Sequence, residues 1–192
     1  MDHSLFRKEI LPFAALFGSM IAATIVIDAL LHQFDLVWVG RYLGIPGTLL
    51  ILLSFLYSMR KRKLIVFGKP KMLLALHETL TWLGALMILV HAGVHVYAIL
   101  PWLALAAMLV NVVSGMTGKF LLDRSRRFLA AKTDAYLQRG LPGEAIEREL
   151  FWDAVAFDLM KRWRAVHLPI TLAFAVLGSA HILSIFLFWQ WK

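Results

Sequence analysis

The length of the apolar runs limits this chain more than anything else in it. Residues 10–31, 43–59, 72–97, 99–122 and 165–189, with boundaries good to a few positions, are nearly free of charge. A helix needs roughly 20 apolar residues to cross the hydrocarbon core of a bilayer. Lipid offers no water to satisfy backbone N–H and C=O groups, so such runs cross as helices. They predict an all-α membrane protein with five transmembrane helices. Composition agrees: 60% of the 192 residues are hydrophobic and 17% are charged, where soluble domains carry about a quarter charged residues. The second run is the shortest and holds Pro46 and Gly47, which leaves its start open. Pro101 falls in the first turn of the fourth run, where a missing N–H costs nothing.

Between the last two runs lies a long polar region, 123–164. It reads as two amphipathic helices, about 124–138 and 143–163, broken at Gly140-Leu141-Pro142-Gly143. No repeat, low-complexity tract or Gly/Ser linker divides the chain, so 1–192 is expected to be one domain with 123–164 as a cytoplasmic insertion. With the N-terminus inside, 1–9, 60–71 and 119–164 hold 18 of the 20 Lys and Arg, leaving Arg41 and Lys192 outside. Short basic loops stay on the cytoplasmic side. The expectation is a multi-pass protein of the inner (plasma) membrane, N-terminus cytoplasmic and C-terminus outside. That distribution explains the net charge of +8 more simply than a nucleic-acid surface does. Leu5 to Leu31 is too long for a signal peptide, and Asp28 and His32 replace its small-residue cleavage site. The chain has no cysteine, which excludes disulfides, iron–sulfur or thiolate-bound metal held by this chain, and covalent haem attachment through C-x-x-C-H.

Four of the seven histidines lie in apolar runs at one repeated separation. HETLTWLGALMILVH spans 77–91 and HLPITLAFAVLGSAH spans 167–181. A helix turns about 100° and rises about 1.5 Å per residue, so 14 residues return to within about 40° of one face, about 21 Å further along the axis. The third and fifth runs are expected to be parallel, both leading outward from the cytoplasm. His77 and His167 then share an inner depth, and His91 and His181 an outer one. An apolar span carries polar, titratable groups only for a strong reason, and metal ligation is one. Matched depths on two parallel helices fit two haems stacked across the membrane, each iron clamped by imidazoles from two helices. Two axial histidines leave the iron no open site, which suits electron transfer. Gly84 lies midway between His77 and His91 on nearly their face, and Gly178 one turn before His181, where a flat macrocycle would need bare surface.

At these residues the chain resembles the membrane di-haem b-type cytochromes, whose shared pattern is two histidines separated by 13 residues on each of two helices. Cytochrome b of quinol-oxidising complexes has this pattern, and ferric reductase-like and NADPH oxidase transmembrane domains have nearly the same spacing. Ser114-Gly115-x-x-Gly118 and Trp163-x-x-x-His167-Leu-Pro look similar to that group, and the resemblance covers about 72–190. It implies a haem-binding four-helix bundle and two haem b, with His77 paired to His167 at the inner haem and His91 to His181 at the outer. Depth alone gives the same pairs. Lys119, Arg162 and Arg164 at the inner edge are candidate propionate partners or simple headgroup anchors.

His3 is a tail residue. His32 and His95 fall near the outer surface with Asp28 and Tyr97. Either is a possible additional or alternative ligand, one of a pair flanking a quinol site that needs a proton acceptor, or an interfacial polar group. Glu78 is the matching candidate on the inner side. No G-x-G-x-x-G and no stretch long enough for a flavin fold is present, so reductant is expected from quinol or a redox protein partner. The region 123–164 is either a docking surface, with Trp152 and Phe157 on its more apolar side, or a segment lying on lipid. The leading reading is an electron-transfer subunit of a membrane oxidoreductase. A terminal ferric or other metal reductase, and a cofactor-free transporter or scaffold, are the alternatives. The charge distribution makes a prediction about topology: a reporter fused after Lys192 should work only if it is active outside the cytoplasm, and one inserted near Gly140 only if active inside. A cytoplasmic C-terminal signal would overturn the assigned orientation.

Overall fold

The computed structural model describes residues 11–93, 99–116 and 122–188. All its elements are α-helices: α1 (Leu11–Gln33), α2 (Val37–Tyr42), α3 (Gly44–Lys61), α4 (Pro70–Gly93), α5 (Ile99–Met116), α6 (Leu122–Gln138), α7 (Gly143–Ala165) and α8 (His167–Phe188). Among the described residues there is no strand. Five stretches are long and apolar enough to cross a membrane: Ala14–Gln33, Val37–Lys61, Pro70–Gly93, Ile99–Met116 and His167–Phe188. At most 28% of any of them is buried within the chain, as suits helices that face lipid. The chain is a multi-pass α-helical membrane protein.

Proline and left-handed residues punctuate these helices. Pro46, Pro70, Pro101 and Pro169 all sit in the first turn of their helices, where the absent N–H has no intrahelical acceptor to lose. Pro46 therefore does not interrupt the second span. α2 precedes α3, and the two together form a stretch of 25 residues. α1, α3 and α6 each end with one residue at positive φ, namely Asp35, Lys63 and Gly140. At each end the next amide bonds back five residues, Leu36 to Leu31, Leu64 to Met59 and Leu141 to Tyr136. That is the left-handed closure that satisfies the last carbonyls of a helix.

The chain divides into two compact units, Met1–Gly18 with Val113–Leu172, and Ser19–Val112 with Ala173–Lys192. In the first, α6 and α7 form a hairpin. Ile146 and Leu150 are buried in it, and Lys132 bonds Asp153 at 2.9 Å. In the second, α3 and α4 pack as an antiparallel pair. A Cβ on Gly84 would stand 2.9 Å from the Gly47 carbonyl oxygen and 2.9 Å from Ile51 Cγ1, and one on Gly47 would stand 3.1 Å from the Gly84 carbonyl. The two backbones touch through paired glycines, the close approach that drives helix association where lipid removes the hydrophobic incentive. Gly84→Leu should therefore separate α3 from α4 and cost about 1–3 kcal/mol, the usual range for overpacking. A lower melting temperature in detergent checks this, with Gly18→Ala as the neutral control, since no described residue lies within 4 Å of its Cβ position.

Candidate functional site

The α3–α4 pair presents both histidines of α4 to its neighbours. His77 Nδ1 lies 3.0 Å from the Ser54 carbonyl oxygen on α3. His91 Nδ1 lies 2.8 Å from the carbonyl of Arg41, in the last turn of α2, where carbonyls run out of amides of their own helix. A carbonyl only accepts, so in each case Nδ1 carries the hydrogen, and in the neutral ring Nε2 holds the lone pair. Each imidazole also has a flat seat. A Cβ on Gly44 would stand 3.0 Å from the His91 ring, and Tyr57 stacks on His77 with ring centroids 5.6 Å apart and planes tilted by 34°. The pairings 44 with 91, 47 with 84 and 54 with 77 set a single antiparallel register. Three small residues of α3, Gly44, Gly47 and Ser54, stand opposite His91, Gly84 and His77 of α4.

His167 is held in the other unit. Its Nδ1 lies 2.7 Å from Ser114 Oγ, and Ser114 is fully buried on α5. A Cβ on Gly115 would stand 3.3 Å from His167 Cε1, so the ring edge rests on a bare stretch of α5. The hydroxyl can donate or accept, and does not alone fix the tautomer. His181 stands on α8, partly buried, and its carbonyl accepts from Ser184 Oγ at 2.7 Å. His77, His91 and His181 belong to the second unit and His167 to the first.

The remaining candidates are placed as follows. What the structure shows at Gly84 is the crossing with α3, since the side from which a side chain would project is filled by Gly47 and Ile51. Among the described residues Gly178 has only Phe174, 3.9 Å from its Cβ position. Arg162 bonds Asp158 at 2.7 Å, both well exposed. Glu78 is half-buried on α4. His32 Nδ1 bonds the Asp28 carbonyl at 2.8 Å and lies 3.7 Å from its carboxylate. Among the described residues Asp28 Oδ1 is buried without a hydrogen-bond partner, and the carboxyl lies 3.3 Å from the Cβ position of Gly93, two residues past His91. Phe157 and Trp152 sit on different sides of α7, half-buried and exposed respectively. His3, His95, Tyr97, Gly118 and Lys119 lie outside the described residues, as do the side chains of Trp163 and Arg164.

Among the described residues no group of three or more His, Asp or Glu could hold a metal ion. A haem iron asks the protein for two axial ligands only, so that finding does not bear on it. The donor chemistry does fit: His77 and His91 offer the Nε2 lone pair that axial ligation uses, and each has the orienting partner at Nδ1 that ligating histidines characteristically have. No family model, no curated protein and no solved structure matches the chain. Sequence reasoning missed Ser54, Gly44 and the Arg41 carbonyl. The first two leave a trace, small residues at positions 44, 47 and 54 of one apolar run, whereas a carbonyl acceptor leaves none. Nitrogen-15 NMR of the apoprotein should find Nδ1 of His77 and of His91 carrying a hydrogen. Rings protonated at Nε2 alone would contradict the hydrogen bonds described.

Proposed function

We propose that the chain is a transmembrane electron-transfer subunit that binds two b-type haems, each between two histidines. His77 and His167 would ligate one, near the cytoplasmic face, and His91 and His181 the other, near the outer face. The observation that carries this reading is the shared chemistry of His77 and His91. They lie 14 residues apart on one helix, on nearly one face, and both hold their Nε2 lone pair by a bond from Nδ1 to a neighbouring backbone carbonyl. A hydrogen-bonding histidine of a helix interface needs no such repetition, whereas a ligand pair does. Haem supplies one-electron chemistry, and two imidazoles leave no iron site open for oxygen. The chain's own residues orient the ligands: Ser54 and Arg41 through their carbonyls, and Ser114 through its hydroxyl.

A quinol donor is favoured over a direct metal reductase by one further observation. Quinol oxidation releases protons and needs an acceptor. Asp28 Oδ1, buried, 3.7 Å from His32 Nδ1 and without a hydrogen-bond partner among the described residues, stands beside the end of α4 that carries His91. Intramembrane carboxylates of this kind are costly unless used. A docked redox protein remains the other source of electrons.

Purified protein should contain about two haems per chain with low-spin spectra in both redox states. Protein without haem, made with ample haem supply, would sink the proposal and leave a transporter or scaffold. His181→Ala should remove the outer haem and spare most of the inner one, and His167→Ala the converse. Retention of the outer haem in His91→Ala together with its loss in His95→Ala would move the outer ligand to His95.

A further inference from the structure

α7 has two apolar faces, and α6 covers one of them. Successive residues turn by about 100°, which places Ile146, Leu150, Asp153 and Phe157 on one side of the helix. Ile146 and Leu150 are buried, and Asp153 bonds Lys132 of α6. Phe151, Trp152, Val155 and Leu159 fall about 180° away by the same rotation. They are 55%, 77%, 43% and 66% exposed, and Phe151 and Trp152 stack edge to face with ring centroids 5.3 Å apart. Arg148 and Arg162 stand at the two ends of this stripe, both exposed. A helix in water has no reason to carry four large apolar residues in register opposite its packed face.

The neighbouring helix says what covers them. α7 ends at Ala165 and α8, a membrane span, begins at His167. Only Val166 separates the two. Pro169 has no N–H for the Ala165 carbonyl, and its ring crowds that carbonyl, which breaks the helix at this joint. The last turn of α7 is thereby tied to the level at which α8 meets the membrane surface, and Val166 carries the stripe on toward Leu168, itself 51% exposed. We propose that the face of α7 formed by Phe151, Trp152, Val155 and Leu159 docks on the lipid surface, lying in the interface plane beside the start of α8. Trp and Phe suit the boundary between headgroups and acyl chains, and long arginine side chains at the stripe's ends reach back to the headgroups. This inference rests on the membrane spans alone and stands whether or not the chain binds haem.

The chain has no cysteine, so single-cysteine spin labels report one site each on the full-length protein. W152C, V155C, L159C and the exposed control E149C would be reconstituted separately into vesicles of phosphatidylcholine and phosphatidylglycerol. Collision with oxygen, which concentrates in lipid, is then compared with collision with a water-soluble nickel chelate. Labels at 152, 155 and 159 should report depths of roughly 5–10 Å below the headgroup boundary, with nickel collisions several-fold below those of E149C. Nickel collisions equal to those of E149C would overturn the proposal, since the stripe would face water. Dipolar broadening between labels on different chains would also overturn it, because a second copy and not lipid would cover the face. Circular dichroism of each variant confirms that the helix content is retained.

Discussion

The close approach of α3 and α4 at Gly47 and Gly84 is the contact on which the rest of the second unit depends. Side chains at either position would drive the backbones apart, since each glycine's Cβ position already lies about 3 Å from the other helix. Only at this separation can an imidazole on α4 reach main-chain carbonyls of α2 and α3. The contact at the centre therefore sets the hydrogen bonds at both ends, to Ser54 at one and to Arg41 at the other. In water, buried apolar area could hold two helices together over a range of distances. In lipid, association relies on packing and on polar contacts between helices, and here both operate along one seam.

The same seam resolves a difficulty that any polar side chain meets in hydrocarbon. An unsatisfied ring N–H in lipid costs several kcal/mol, within the roughly 2–7 kcal/mol range for unpaired polar groups. Handing that hydrogen to a neighbouring carbonyl removes the cost and at once decides which nitrogen keeps its lone pair. One bond thus satisfies the ring and fixes its tautomer. Asp28 Oδ1 and Trp82 Nε1 are the opposite case, buried polar atoms with no hydrogen-bond partner among the described residues. At Asp28 the departure sits beside the end of α4 that carries His91. The structure offers no account of the one at Trp82.

Much of the helical layout was legible in the sequence because lipid imposes a simple rule on apolar length. All five runs reappear as helices, and the break at 140–143 appears as the turn closed by Gly140. The second run was read too short because Pro46 looked like an interruption. A proline in a first turn and a proline in mid-helix are the same letter, and only the presence of α2 before it tells them apart. The histidine spacing was legible for a similar reason, since a period of 14 follows from helix geometry alone. What occupies the other side of Gly84 was not. A glycine on the histidine face reads as bare surface for a macrocycle, and the sequence carries no sign that Gly47 and Ile51 of α3 pack against it. The partners at Nδ1 were beyond reach, because main-chain acceptors carry no residue-type signal.

That last point has a genetic consequence. The acceptors for His77 and His91 are carbonyls, present whatever residue stands at 54 or 41, so no single substitution can delete them. A mutational survey of α2 and α3 would register the glycines, through steric clash, and pass over the two bonds entirely. His167 is in the other position: its partner is the hydroxyl of Ser114, and a change of one codon removes it. Of these three imidazoles, each anchored to another helix, two are insured by the polypeptide itself, and the third is open to selection, to be tuned or lost.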